Sequence, residues 1–208
     1  MKTLTCYCAL IFFASHSAQA QPRGLFFRED WKEIAAALPV SQEHVSNSGI
    51  VLHLYGPASN QIKKSNHPEI KNDPYYIWSG ECKANWAVGL RHRNNAVDLS
   101  GENARIKIRS KQSGFRQLRI ILKLGDGTWL VSDQAAVYTA DWEEQEFRIP
   151  DIRWRKLDIE RITEAAWADH PDLRDVDEIG FTDLMAGGGT PASSRLDWIE
   201  VWGTAVPR

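Results

Sequence analysis

The chain predicts an all-β fold, an antiparallel β-sandwich with one or two short helices. Three observations predict it: apolar residues alternate with polar ones in many short runs, turn residues separate the runs, and helical periodicity is scarce. Ile50–Tyr55 is a β-rich run stopped by Gly56-Pro57. Trp86, Val88 and Leu90 alternate with Gly89, Arg91 and Arg93; Ile106 and Ile108 with Lys107, Arg109 and Lys111. Leu118, Ile120, Leu122 and Leu124 enclose Arg119 and Lys123, and Gly125-Asp126-Gly127 then turns the chain into Thr128–Val131 as a tight hairpin. Glu146–Ile149 is a further strand ended by Pro150.

Toward the C-terminus Ile179 and Phe181 alternate, Gly187-Gly188-Gly189 interrupts, and Leu196–Trp202 resumes the β pattern. Strict alternation puts Asp177, Asp183 and Asp197 on the parity of core side chains, where a carboxylate needs a partner. The two helices are expected at Glu29–Leu38, ended by Pro39, and at Asp158–Trp167, with Asp158 as N-cap.

Residues 1–20 read as a signal peptide: Lys2, the apolar run Leu4–Ala14 and the small-x-small site Ala18-Gln19-Ala20. Residues 21–208 form one domain, expected to be secreted or periplasmic, with no membrane partner after cleavage. Cys82 is the lone cysteine of that mature part, so no intramolecular disulfide staples it. Removing Lys2 takes the net charge from −2 to −3, which excludes the basic signature of a nucleic-acid binder. All nine tryptophans lie beyond the leader; most belong in core and strand packing, and some are candidate aromatic platforms.

The strand Arg105–Arg109, the hairpin at Gly125-Asp126-Gly127 and the closing Leu196–Val201 together resemble the galactose-binding-like jelly roll. That sandwich is shared by many carbohydrate-binding modules and by the complex I intermediate-associated protein family. The resemblance implies a jelly roll with a non-catalytic, often glycan-binding role, on a fold that hosts unrelated functions.

Four constellations could carry chemistry. Arg91, Arg93, Lys107, Arg109, Lys111, Arg119 and Lys123 point opposite to the apolar set; if their strands are neighbours, they form one basic face suited to an acidic polysaccharide. The competing reading is a solvated face whose cations pair with carboxylates. The loop from Tyr55 to Trp78 combines polar residues, His67 among them, with three rings. Asp30 and Asp197 are candidate ligands for a structural calcium, which the resemblance suggests where first and last strands meet. His92 and His67 as bases, Asp133 and Asp183 as acids, and Arg91 or Lys111 to stabilise developing negative charge are candidates for catalysis by a polysaccharide lyase or glycoside hydrolase.

The favoured ligand is a polysaccharide or oligosaccharide. Its expected contacts are Trp78, Trp86, Arg91, Arg109, Lys111, Trp129, Asp133 and Asp183. Aromatics would stack on sugar rings, cations would hold acidic groups and carboxylates would accept hydroxyl hydrogen bonds. A polysaccharide-active enzyme and a structural or assembly module are the alternatives.

Overall fold

The computed structural model describes residues 24–185 and 192–208. Residues 1–20, expected from the sequence to be a signal peptide, and the triple glycine fall outside them. The described residues form fourteen strands: β1 Gly24–Glu29, β2 Ile50–Tyr55, β3 Lys63–Ser65, β4 Tyr76–Trp78, β5 Trp86–His92, β6 Asn95–Asp98 and β7 Arg105–Gln112. Then follow β8 Leu118–Leu124, β9 Trp129–Ala136, β10 Glu143–Arg148, β11 Trp154–Asp158, β12 Thr163–Trp167, β13 Val176–Asp183 and β14 Ser194–Pro207.

Two antiparallel sheets face each other. The front sheet runs β2-β5-β13-β8-β9-β11-β12. The back sheet is centred on β14, with β7 and then β10 on one side, and β4 (carrying β3) and β1 on the other. β14 is long enough to leave the back sheet and pair its last residues with β6, which also bridges to β13. The architecture is an antiparallel β-sandwich of jelly-roll type. Its core is filled by the alternating inward residues of both sheets, such as Val88, Leu90, Ile120, Leu122 and Phe181 against Ile106, Ile108, Phe147, Ile199 and Val201.

The strands predicted from alternation are in place, and Gly127 takes the left-handed φ of 87° that its hairpin turn requires. Neither predicted helix forms; the helices among the described residues are three single 3-10 turns. Glu29 instead ends β1, and its carboxylate is spent on loop backbone. Asp158 does cap, accepting the N–H groups of Glu160 and Arg161, but Ile162 then takes a left-handed φ of 54° and the chain returns as β12. Pairing with β11 outweighs a weak helical pattern.

Two bulges reverse expected parities. One between Val176 and Glu178 turns Asp177 outward; one between Leu196 and Trp198 turns Asp197 to Arg109 on the outer side of the back sheet. The single basic face is corrected too. β7 lies in the back sheet, so Lys107, Arg109 and Lys111 are across the sandwich from Arg91, Arg119 and Lys123. Arg93 lies beyond β5, bonded to the Ser48 carbonyl. Lys107 pairs with Glu146, Lys111 with Asp141 and Arg119 with Glu164, as in the solvated-face reading.

Candidate functional site

Among the described residues three carboxylate side chains are fully buried: Glu29, Asp183 and Glu178. Burying a carboxylate costs several kcal/mol unless donors replace its water, so the identity of those donors is informative. Glu29 accepts the backbone N–H groups of Trp31 (2.9 Å), Ser46 (2.7 Å) and Asn47 (2.9 Å), which ties a loop to β1. Asp183 accepts from Arg116 (3.3 Å), Ser194 Oγ (2.9 Å) and the Met185 N–H (3.0 Å). Burial still pushes the Asp183 carboxyl above its ordinary range, although all three donors oppose the shift. Both carboxylates serve the fold.

Glu178 differs. Its donors are Tyr55 Oη, 3.0 and 3.2 Å from the two carboxylate oxygens, and His53 Nδ1 at 2.9 Å. A carboxylate only accepts, which assigns the proton to Nδ1. Among the described residues no lysine or arginine pairs with Glu178. Tyr55 is half-buried, and the His53 side chain is 38 % exposed. The buried charge is therefore held by surface groups rather than by backbone.

Local sequence explains the arrangement. On the outer side of the front sheet, His53 faces Gly89 and Tyr55 faces Ala87. A Cβ on Gly89 would stand 1.7 Å from Glu178 Oε1 and 3.0 Å from Tyr55. The glycine makes the seat into which Glu178 folds. Tyr55 meets Trp129 edge-on at 5.0 Å, and burial, with the nearby Glu178 charge, pushes its phenol well above the ordinary range. Ala87, Ile121, Trp129, Val131, Leu157 and Ile162 form a second apolar cluster where the β11–β12 turn folds over this face. Beside them Asp177 receives Arg91 (3.1 Å), Lys123 (3.5 Å) and Arg208 (2.7 Å). Burial opposes ionisation of Asp177, but the two arginines outweigh it and hold its carboxyl below the usual range. Three cations share one carboxylate, a local surplus of positive charge.

Of the residues singled out in the sequence, Arg91 and Trp129 belong to this face. The others are scattered. Trp86 lies in the core, 2 % exposed and edge-on to Phe181, because its parity faces inward. Trp78 is on β4 of the back sheet, with the Lys63 amine 5.3 Å above its ring. Arg109 is bonded to Asp197 (2.5 Å), and Lys111 is 3.5 Å from Asp141. Asp133 accepts the Arg153 N–H (3.0 Å), which fixes a strand end. His92 accepts the N–H groups of Asn94 and Asn95; burial and then Arg208 push its pKa down. His67 stacks on Tyr76 and bonds its hydroxyl (3.0 Å), so the loop that holds it is pinned.

Calcium finds a poor fit at the candidates. Asp30 is held by Arg28 (2.6 Å) and Asp197 by Arg109, and among the described residues no group of three or more His, Cys, Asp or Glu could hold a metal. His53, Tyr55 and Glu178 were missed because alternation makes them ordinary outward residues of strands. The available signal was Gly89, together with Gly180, inside strands where a side chain is otherwise expected.

A cleft of about 590 Å³ opens at the rim beyond Lys123 and Trp129, lined by Lys156, Trp167, Asp126, Asp169, Asp172 and Asp175. Its aromatic platform is already occupied: the guanidinium carbons of Arg153 and Arg155 lie 4.1 and 4.3 Å from the Trp167 ring centroid.

No family profile and no curated protein matches the chain. Among solved structures it is similar to the family 11 carbohydrate-binding module of a cellulosomal cellulase of Clostridium thermocellum. That likeness has 12 % identity and a TM-score of 0.47, covering 83 % of this chain and 97 % of that one. A family 11 module from the same organism, in complex with a β-1,3-1,4-mixed-linked tetrasaccharide, gives 14 % identity and a TM-score of 0.46 over 85 % and 100 % of the chains. An exo-β-agarase gives 8 % and 0.42 over 78 % of this chain and 24 % of that one. The β-sandwich assignment itself rests on the strand pairing of this chain.

Proposed function

We propose that this protein is an exported carbohydrate-binding protein that recognises an acidic polysaccharide on the outer side of its front sheet. The observation that carries the reading is the combination beside Glu178. Tyr55, backed by Trp129, offers an aromatic surface for the apolar face of a sugar ring. His53 and the Glu178–Tyr55 pair offer hydrogen-bonding partners for hydroxyls. Arg91, Lys123 and Arg208, with one carboxylate among them, supply charge for the acid group of a uronate or sulfated residue. The rim cleft suits an acidic ligand less well, since four carboxylates line it against one lysine.

Affinity electrophoresis against polygalacturonate, alginate and a neutral β-glucan tests the reading. The acidic polymers should retard the protein, and Tyr55→Ala and Arg91→Ala should each abolish most of the retardation. Equal retardation by the neutral glucan, unchanged in Arg91→Ala, would refute the acidic preference. No retardation by any polymer would refute carbohydrate binding at this face.

A further inference from the structure

We propose that His53 is a proton acceptor held ready by Glu178, and that the site cleaves an acidic polysaccharide by β-elimination rather than only holding it. The inference rests on the glycan reading above and adds a reaction to it. Three observations support it. His53 donates Nδ1–H to Glu178 at 2.9 Å, which fixes the ring and leaves the Nε2 lone pair as its free basic position. Nε2 has no hydrogen-bond partner among the described residues, and the side chain is 38 % exposed, so a ligand can reach it. Glu178 is fully buried without a cationic partner among the described residues, so an imidazolium forming at His53 would acquire a counter-charge already in place.

A purely structural role accounts poorly for this. The structural carboxylates Glu29 and Asp183 are satisfied by backbone N–H groups or an arginine, whereas Glu178 is satisfied by two partly exposed, titratable side chains. An apolar side chain would fill the same seat without a buried charge.

The chemistry selects the substrate class. The C–H bond beside a uronate carboxylate, C5–H, comes within reach of an imidazole once a cation neutralises that carboxylate and carries the charge that develops on it as the proton leaves. Arg91 is the diagonal neighbour of His53 across β2 and β5, at a spacing of roughly 7–8 Å that long side chains bridge. In the step, His53 Nε2 takes the C5 proton and the C–H electron pair becomes the C4=C5 double bond. The C4–O bond to the next sugar breaks, and the imidazolium returns its proton to the leaving oxygen. His53 is regenerated neutral, and no oxidant, reductant or water is consumed.

The test incubates the full chain with polygalacturonate and with alginate, following the ultraviolet absorbance of the unsaturated product and identifying it by mass spectrometry. Affinity electrophoresis is run in parallel. His53→Gln should lower the rate by about 10²–10⁴-fold, a far larger factor than the weakening of retardation that follows from altering one of the site's hydrogen-bonding partners. Glu178→Gln, acting through His53, should lower kcat by a larger factor than it raises KM; if it does not fold, His53→Gln decides alone. Retardation without product in the parent protein overturns the elimination and leaves the binding reading standing. Product formation undiminished in His53→Gln overturns the role of that residue. Neither retardation nor product overturns both.

Discussion

Replacing Gly89 with alanine places a methyl group 1.7 Å from Glu178 Oε1, where ordinary contact begins at 3.4 Å. The carboxylate must retreat by about half of that ordinary distance, which takes it out of range of Tyr55 (3.0 Å) and His53 (2.9 Å) together. Each hydrogen bond to a charged group is worth about 1.5–3 kcal/mol. The lower entropy of the unfolded alanine chain returns about 0.4–1 kcal/mol, and partial rehydration of the carboxylate returns some more. The expected net loss is about 2–4 kcal/mol. At about 2–4 °C per kcal/mol for a chain of this size, the melting temperature should fall by roughly 5–15 °C. Gly24→Ala, whose added methyl group meets nothing within 4 Å, should stay within about 0.5 kcal/mol of the parent. Calorimetry of the two variants is the assay. A fall of under about 2 °C for Gly89→Ala, less than about 1 kcal/mol, would show that Glu178 is not seated by that glycine.

Three further outcomes are expected. Arg116→Ala leaves Asp183 buried without its cation and should cost about 3–5 kcal/mol by chemical denaturation, with no effect on polysaccharide retardation. Lys64 is buried against the Tyr75 ring and bonded to the Ile34 carbonyl, and desolvation lowers its pKa from 10.5 to about 8. The unfolded chain therefore holds the extra proton between those values, so stability rises with pH across that window and the buried charge is a burden below it. Lys64→Met, net of the donor lost at Ile34, should gain about 1–2 kcal/mol near neutral pH, and denaturant unfolding should show the gain shrinking as pH rises toward 10.5. Burial pushes the Cys82 thiol up to about 12, so thiol reagents should label it in denaturant and leave it unmodified in the native protein at neutral pH.

The strands were legible because one face of each is buried, which imprints period two on Leu118–Leu124 and Arg105–Lys111. Which sheet each strand joins was not, since alternation is the same in front and back; that is why β7 and its three cations could be read as sharing a face with β5 and β8. Bulges add one residue without any mark in the pattern, and two of them moved Asp177 and Asp197 off the core parity while Asp183 kept it. The candidate site was half legible. Arg91 and Trp129 stood out by type, but Glu178 is buried from the outer side of its sheet, by residues distant in sequence and only because Gly89 leaves room.

Titration of isotopically labelled protein with a uronate oligosaccharide, followed by amide chemical shifts, tests the central claim most directly. Perturbations should group on β2, β5 and β13 around His53, Tyr55, Gly89, Arg91 and Glu178. Shifts confined to the rim residues Asp126, Trp167 and Asp172, or to the back sheet around Arg109 and Trp78, would contradict it.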